Sequence, residues 1–166
     1  MLFDQSKIKS VMKHRFPMLL VDAIISLREW DQVVGVKCIT ATDKCFAHLH
    51  DDCPPERYAY PPSLMIEAFG QACGVLVGLK RACDGRPWDE LMLAAGLTGF
   101  EILKNANPGD RLEFRGQMVK EFTDFAVFDG SVLVDGAIIA QIDSMIVAFR
   151  RPGVIDRPKH EGSIDG

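Results

Sequence analysis

The sequence predicts an α+β domain in which an antiparallel sheet covers one buried helix, and three observations predict it. The stretch Ser63 to Lys80, SLMIEAFGQACGVLVGLK, is apolar on every side, so it offers no face to solvent and belongs inside a core. After it, RLEFRGQMVKEF, FAVFDGSVLVDG and AIIAQIDSMIVAFR read as three strands separated by short turns, with period-two alternation clearest in the first. No internal repeat or domain linker interrupts the chain, and 166 residues suit one domain with a single sizeable core. A strand pair, a loop, one buried helix and then at least four strands are what a sheet laid over a helix requires.

In chain order, Asp4 to Met12 carries Ile8, Val11 and Met12 at helical spacing after the capping residue Asp4, and Pro17 stops that helix. Met18 to Leu27 is rich in strand formers, and Val33 to Thr42 alternates Val34 and Val36 with Gly35 and Lys37. With Trp30, Asp31 and Gln32 as the turn between them, the two runs predict a hairpin. Asp43 to Pro62 is polar, proline-rich and aperiodic, a loop that delivers groups to the end of the central helix. Pro61, Pro62 and Ser63 mark the helix start, since proline costs nothing in a first turn and serine can take an orphan amide. Lys80 to Gly85 suits its C-terminus. Leu91 to Leu103 is an apolar strand in which Gly96 and Gly99 mark a bulge or a close backbone crossing. Asn107, Pro108 and Gly109 then form a turn. Residues 1–152 make one domain, and 153–166, polar with glycine, proline and mixed charge, form a flexible tail.

Composition narrows the function. Hydrophobic content of 48% and charged content of 25% are those of a globular protein, and a net charge of -4 gives no global basic footprint for nucleic acid. Five cysteines without a CxxC pair, and no charged start with an apolar signal core before Phe16, indicate reduced thiols in the cytoplasm. Cys73, inside the apolar helix, reads as a small core residue. A membrane span is excluded by the shortness of the apolar run and by an acid in its middle. The glycines match neither a phosphate-binding loop nor a dinucleotide fingerprint.

That acid, Glu67, carries the chemical interest. Gln71 follows it by one helical turn, so both polar side chains share a face while Leu64, Met65, Ile66, Phe69, Leu76, Val77 and Leu79 cover the others. A carboxyl held there is neutral, paired or in use. Gly70, Gly74 and Gly78 recur at four-residue spacing, which is costly inside a helix unless a neighbour approaches that ridge closely. The loop before the helix holds the densest polar cluster, FAHLHDDC, Phe46 to Cys53. His48, His50, Asp51, Asp52 and Cys53 are all metal-ligand types, but one loop without a second cluster is a weak metal signal. The stronger reading pairs a loop histidine, a base near neutral pH, with a desolvated carboxyl that stays protonated and acts as an acid. Together they can take a proton from one carbon and give one to a departing hydroxyl. A serine or cysteine nucleophile is disfavoured, since there is no GxSxG around Ser63 or Cys73.

These residues resemble a known family. HRFPMLLVDAI, His14 to Ile24, is similar to the HRYPFLLVDRV segment of FabZ-type β-hydroxyacyl-ACP dehydratases, and EAFGQACGVL, Glu67 to Leu76, to their EAMAQATGIL. AGLTGFEILKNANPGD, Ala95 to Asp110, fits their AGIDEARFKRPVVPGD, and LVDG from Leu133 matches a late turn, so the resemblance runs from about Ile8 to Phe149. It implies a hot-dog fold, a curved antiparallel sheet wrapped round one long central helix, assembled as homodimers or trimers of dimers. It implies removal of water from β-hydroxyacyl chains held on the phosphopantetheine of acyl carrier protein, in fatty acid or polyketide synthesis. No metal or cofactor is implied.

The implied site joins a loop histidine and a helix glutamate from opposite subunits. Glu67 matches the glutamate and Gln71 the glutamine that orients it. The loop departs from the family: FFQGHFPGKPIFPGV is replaced by FAHLHDDCPPERYAYPPS. Anchoring on Phe46 places the catalytic histidine at His50, with His48 as the alternative, and the resemblance implies Gln71, Ser63 and Phe46 as residues that meet the substrate. The family's helix-start glycine becomes Pro62, leaving Ser63 to steady the thioester oxygen. Lys80, Arg81 and Arg86, or Lys104, are the basic groups able to meet an acidic carrier. Two alternatives follow from the same residues: a hot-dog thioesterase in which Glu67 activates water, and a non-catalytic partner subunit that binds acyl carriers.

Overall fold

A computed structural model describes residues 2–50, 52–85 and 90–150. The tail assigned to 153–166, and the candidates Asp51 and Arg86, lie outside the described residues. Helix α1 (Gln5–Val11) leads into strands β1 (Ala23–Arg28) and β2 (Gln32–Cys38). Two short 3-10 turns (Lys44–Phe46 and Pro55–Tyr58) precede helix α2 (Pro62–Cys83), and strands β3 (Leu91–Ile102), β4 (Arg111–Glu121), β5 (Phe125–Val134) and β6 (Ala137–Arg150) follow. The six strands form one antiparallel sheet in the order β1-β2-β4-β5-β6-β3, with α2 against it. This is the hot-dog arrangement that the resemblance implies.

Local chemistry accounts for the elements. The Asp4 carboxylate accepts the Lys7 amide and caps α1, which buries Ile8 and Val11. The β1–β2 turn carries Glu29 and Trp30 at φ 50° and 59°, and the β5–β6 turn carries Asp135 and Gly136 at φ 49° and 80°. Two successive left-handed residues give the twist that joins antiparallel strands tightly, and Asp-Gly is the sequence signature of that turn. Every residue from Gln71 to Leu79 of α2 is buried. Contrary to the length argument from the sequence, the helix is long and apolar enough to cross a bilayer, but most of that surface is buried inside the fold against the sheet.

At Gly70 and Gly74 the glycine ridge has the close neighbours its spacing demands. A Cβ on Gly70 would stand 3.2 Å from Met145 Sδ of β6, and one on Gly74 would collide with the Met92 thioether of β3. The same closeness recurs between β2 and α2, where a Cβ on Gly35 would lie 2.8 Å from Ala72 Cβ. Both atoms sit on backbones fixed by sheet and helix. Gly35→Ala is therefore expected to cost about 1–3 kcal/mol, read as a lower urea midpoint at unchanged slope.

Three details differ from the sequence reading. Helix α1 ends at Val11, well before Pro17, because Met12 is already extended at φ -126°, ψ 142°. The first strand starts at Ala23 rather than Met18, since Met18 and Leu20 give their backbone groups to α2 instead. Ser63 does not cap α2: Pro61 holds the cap position without a side-chain bond, and Ser63 is exposed in the first turn. The bulge expected at Gly96 is present, between Ala94 and Gly96, and Gly99 takes φ 60°.

Strand β3 ends the sheet. It pairs with β6 on one side, and among the described residues no strand covers its other side. Leu93, Leu97 and Ile102 on it are 42%, 39% and 37% exposed. All five cysteines are free, with Cys73 buried in the core and Cys38 and Cys83 exposed.

Candidate active site

Glu67 lies in the second turn of α2, where the buried body of the helix begins. Its side chain is 30% exposed and opens onto a cavity of about 150 Å³ lined by Met12, His14, Gly70, Gln71, Met92 and Leu93, among others. Gln71, one turn on, donates through Nε2 to Glu67 Oε1 at 2.8 Å. The same amide is anchored to the chain before β1: Nε2 also donates to the Met18 carbonyl at 2.7 Å, and Oε1 accepts the Leu20 amide at 2.9 Å. A buried amide whose oxygen and nitrogen are both satisfied cannot turn over without losing bonds, so Gln71 holds one orientation and fixes that of Glu67.

The imidazole beside Glu67 is His14, with Nε2 3.4 Å from Oε1. Its effect governs the acid. Foremost the donor His14, and then Gln71, hold the Glu67 carboxyl below the usual carboxylate range, although burial pushes the other way. The desolvated, protonated acid expected from the sequence is thus replaced by a carboxylate, because the donors around it outweigh its partial burial. Replacing Gln71 by Leu would strand the Met18 carbonyl and the Leu20 amide as well as loosen Glu67. The expected result is a loss of about 1–3 kcal/mol in chemical unfolding, with the Glu67 titration moved to higher pH.

The other sequence candidates are dispersed. His48 and His50 are exposed on the loop before α2, and neither contacts Glu67 in the chain; the His50 carbonyl accepts the Cys53 amide in a local turn. Phe46, taken as a substrate contact, is instead a core side chain, 4% exposed with its ring 5.6 Å from that of Tyr58. Lys80 and Arg81, taken as carrier contacts, are engaged within the fold. Lys80 Nζ lies 2.5 Å from Glu121 Oε2, and the buried Arg81 pairs with Glu90 and donates to the Thr123 carbonyl. Lys104 is exposed just after β3. Among the described residues no three His, Cys, Asp or Glu side chains converge as metal ligands do. The residue that sequence reasoning passed over is His14, which opens the HRFPMLLVDAI segment; its presence in that segment was the one available signal.

A carboxylate clamped at one oxygen and facing a cavity can take a proton from water or return one to a leaving hydroxyl. Comparison with known proteins points the same way. The FabA-like domain family matches residues 12–143. The 3-hydroxyacyl-(acyl-carrier-protein) dehydratase FabZ of Actinobacillus pleuropneumoniae serotype 5b is 32% identical over 145 residues, covering 87% of this chain and 90% of that one. The Campylobacter jejuni enzyme of the same name (strain 81-176) is 31% identical over 149 residues, covering 88% and 99%. Among solved structures, the dehydratase heterocomplex ApeI:P from Xenorhabdus doucetiae superposes with a TM-score of 0.73 at 16% identity, covering 89% of this chain and 92% of that one.

Proposed function

Because the chain belongs to the FabA-like family that includes the FabZ 3-hydroxyacyl-(acyl-carrier-protein) dehydratases, we propose that it removes water from a 3-hydroxyacyl thioester on acyl carrier protein, giving the trans-2-enoyl thioester. The observation that carries this reading is the Glu67–Gln71 pair, locked to the chain at Met18 and Leu20 and facing a cavity.

Two protons must move. A histidine takes one from the carbon next to the thioester carbonyl, and Glu67, in the fraction of molecules where it has first taken a proton from solvent, supplies one to the hydroxyl that departs as water; the histidinium then gives its proton back to solvent, so the cycle balances. In the reverse hydration the same carboxylate draws a proton from water, which matches its ionised resting form. His50, with His48 as the alternative, is the histidine we assign, delivered by a second copy of the chain. Three features support that assembly. A cavity of about 150 Å³ is small against the roughly 300–1,000 Å³ of a pocket that buries a ligand. The exposed, apolar β3 edge, whose Met92, Leu93 and Ala94 line the cavity, suits pairing with another chain. Both loop imidazoles are exposed and so available to a neighbour. Ser63, exposed in the first turn of α2, is the residue we assign to steady the thioester oxygen, through an N–H at the helix N-terminus. Free thiols suit a cytoplasmic location.

One assay tests the reading: incubation with a crotonyl thioester, following both loss of enoyl absorbance and appearance of free thiol. Hydration without thiol release is the expected result, and thiol release would indicate a thioesterase instead. A second reading, a carrier-binding subunit without turnover of its own, draws on the absence of contact between the loop imidazoles and Glu67 in the chain. It predicts binding of acyl carrier without either signal.

A further inference from the structure

Glu67 is held by two nitrogens that converge on one of its oxygens. His14 Nε2 and Gln71 Nε2 both face Oε1, at 3.4 Å and 2.8 Å, and among the described residues no hydrogen bond reaches Oε2. The His14 backbone is itself stapled. The Arg15 guanidinium donates to the Met12 and His14 carbonyls, each at 2.7 Å, and to the Lys9 carbonyl at 3.2 Å, tying the residue to the end of α1. The far ring nitrogen, Nδ1, is buried and bonds to nothing described. An unsatisfied buried nitrogen is a cost that a simple packing residue such as leucine would not carry, and what the ring offers against it is the Nε2 that faces Glu67.

We propose that His14 is a positioning residue for Glu67: with Gln71 it forms a two-donor clamp on Oε1, leaving Oε2 as the oxygen that exchanges a proton with the substrate hydroxyl. This rests on the dehydratase reading above. The clamp requires His14 to carry its hydrogen on Nε2, toward the carboxylate. An oxygen already receiving two N–H groups is a poor place for a further proton, so the transferable proton is confined to Oε2 and to one direction. A 3.4 Å separation is long for a formed hydrogen bond; such contacts commonly tighten when a substrate closes the site.

The charged groups facing His14 are Glu67 from α2 and, across the adjoining cleft, Lys13 and Glu90, the latter already paired with Arg81. Removing the imidazole leaves Glu67 with burial and a single donor.

The test compares the wild type with His14→Phe, which fills the ring volume without a donor, and His14→Gln, which restores an N–H. Crotonyl thioester hydration gives kcat and KM, and NMR of 13C-carboxyl-labelled glutamate follows the Glu67 titration. His14→Phe is expected to lower kcat about 100-fold, the scale of a misplaced catalytic group, with KM within about twofold and the Glu67 titration moved to higher pH. His14→Gln is expected to recover much of the loss. Unchanged kcat and an unmoved titration in His14→Phe would overturn the proposal while leaving the dehydratase reading intact. A wild type that hydrates nothing would remove that reading, and the NMR titration alone would then decide the clamp. Should His14→Phe not fold by circular dichroism, His14→Asn, too short to reach Oε1, takes its place under the same criteria.

Discussion

Glu67→Gln is expected to reduce crotonyl thioester hydration by about 10²–10⁴-fold in kcat, the range general acid–base catalysis spans, with the fold intact. The isosteric amide keeps an oxygen for Gln71 to donate to, and neither the Met18 nor the Leu20 anchor depends on the charge. What is lost is the exchangeable proton. The substitution also has a signature in stability against pH. The Glu67 pKa is lowered in the folded chain, by His14 first and Gln71 second, so the ionised group stabilises the fold above its unfolded pKa and this contribution disappears as pH falls through the folded value. Glu67→Gln should therefore lower stability near neutrality, where that contribution is fully present, and converge on the wild type as pH falls through and below the ordinary carboxylate range, flattening the acid side of the curve. A variant that keeps wild-type turnover would remove Glu67 from the chemistry.

The largest expected effect on stability comes from Phe69→Ala, about 3–5 kcal/mol. The Phe69 ring is fully buried and lies against Gly116 of β4 and Gly130 of β5, which are paired directly across the two strands. A Cβ on Gly130 would lie 2.7 Å from the ring, and one on Gly116 3.7 Å from it. The two glycines make a hollow in the sheet that one aromatic side chain fills. Truncating the ring leaves that hollow empty, because the flanking backbone is held by ladder hydrogen bonds and cannot close over it. Thermal or urea unfolding measures the loss; a cost below about 1 kcal/mol would mean that the sheet does close.

The architecture was legible because its strongest signals are local. Apolar residues on every side of Ser63 to Lys80 could only mean a core helix, and the later strands announced themselves by alternation and by turns such as Asp135-Gly136. Glu67 and Gln71 were legible as a pair because a four-residue spacing puts side chains on one helix face. What surrounds them was not. Gln71 is tied to backbone groups of Met18 and Leu20, and main-chain donors and acceptors leave no trace in side-chain pattern. His14 is distant from Glu67 in the chain, so only the fold brings it close. The partial burial of Glu67 could be foreseen, but the sign of its pKa shift depends on that unseen neighbour. The aperiodic loop before α2 has no pattern from which to infer that Phe46 turns inward while His48 and His50 turn out.

Strand β3 bears on more than chemistry. A long terminal strand with apolar side chains, whose outer amides and carbonyls meet no strand among the described residues, is a template on which further copies can add, and proteins normally shield such a border with charge, proline or a bulge. Here the register shift after Ala94 interrupts it once, and Leu93, Leu97 and Ile102 remain outside. Colloidal behaviour and the acid's cavity therefore share one strand. A lesion that bares this border invites fibrillar association, whatever it does to turnover.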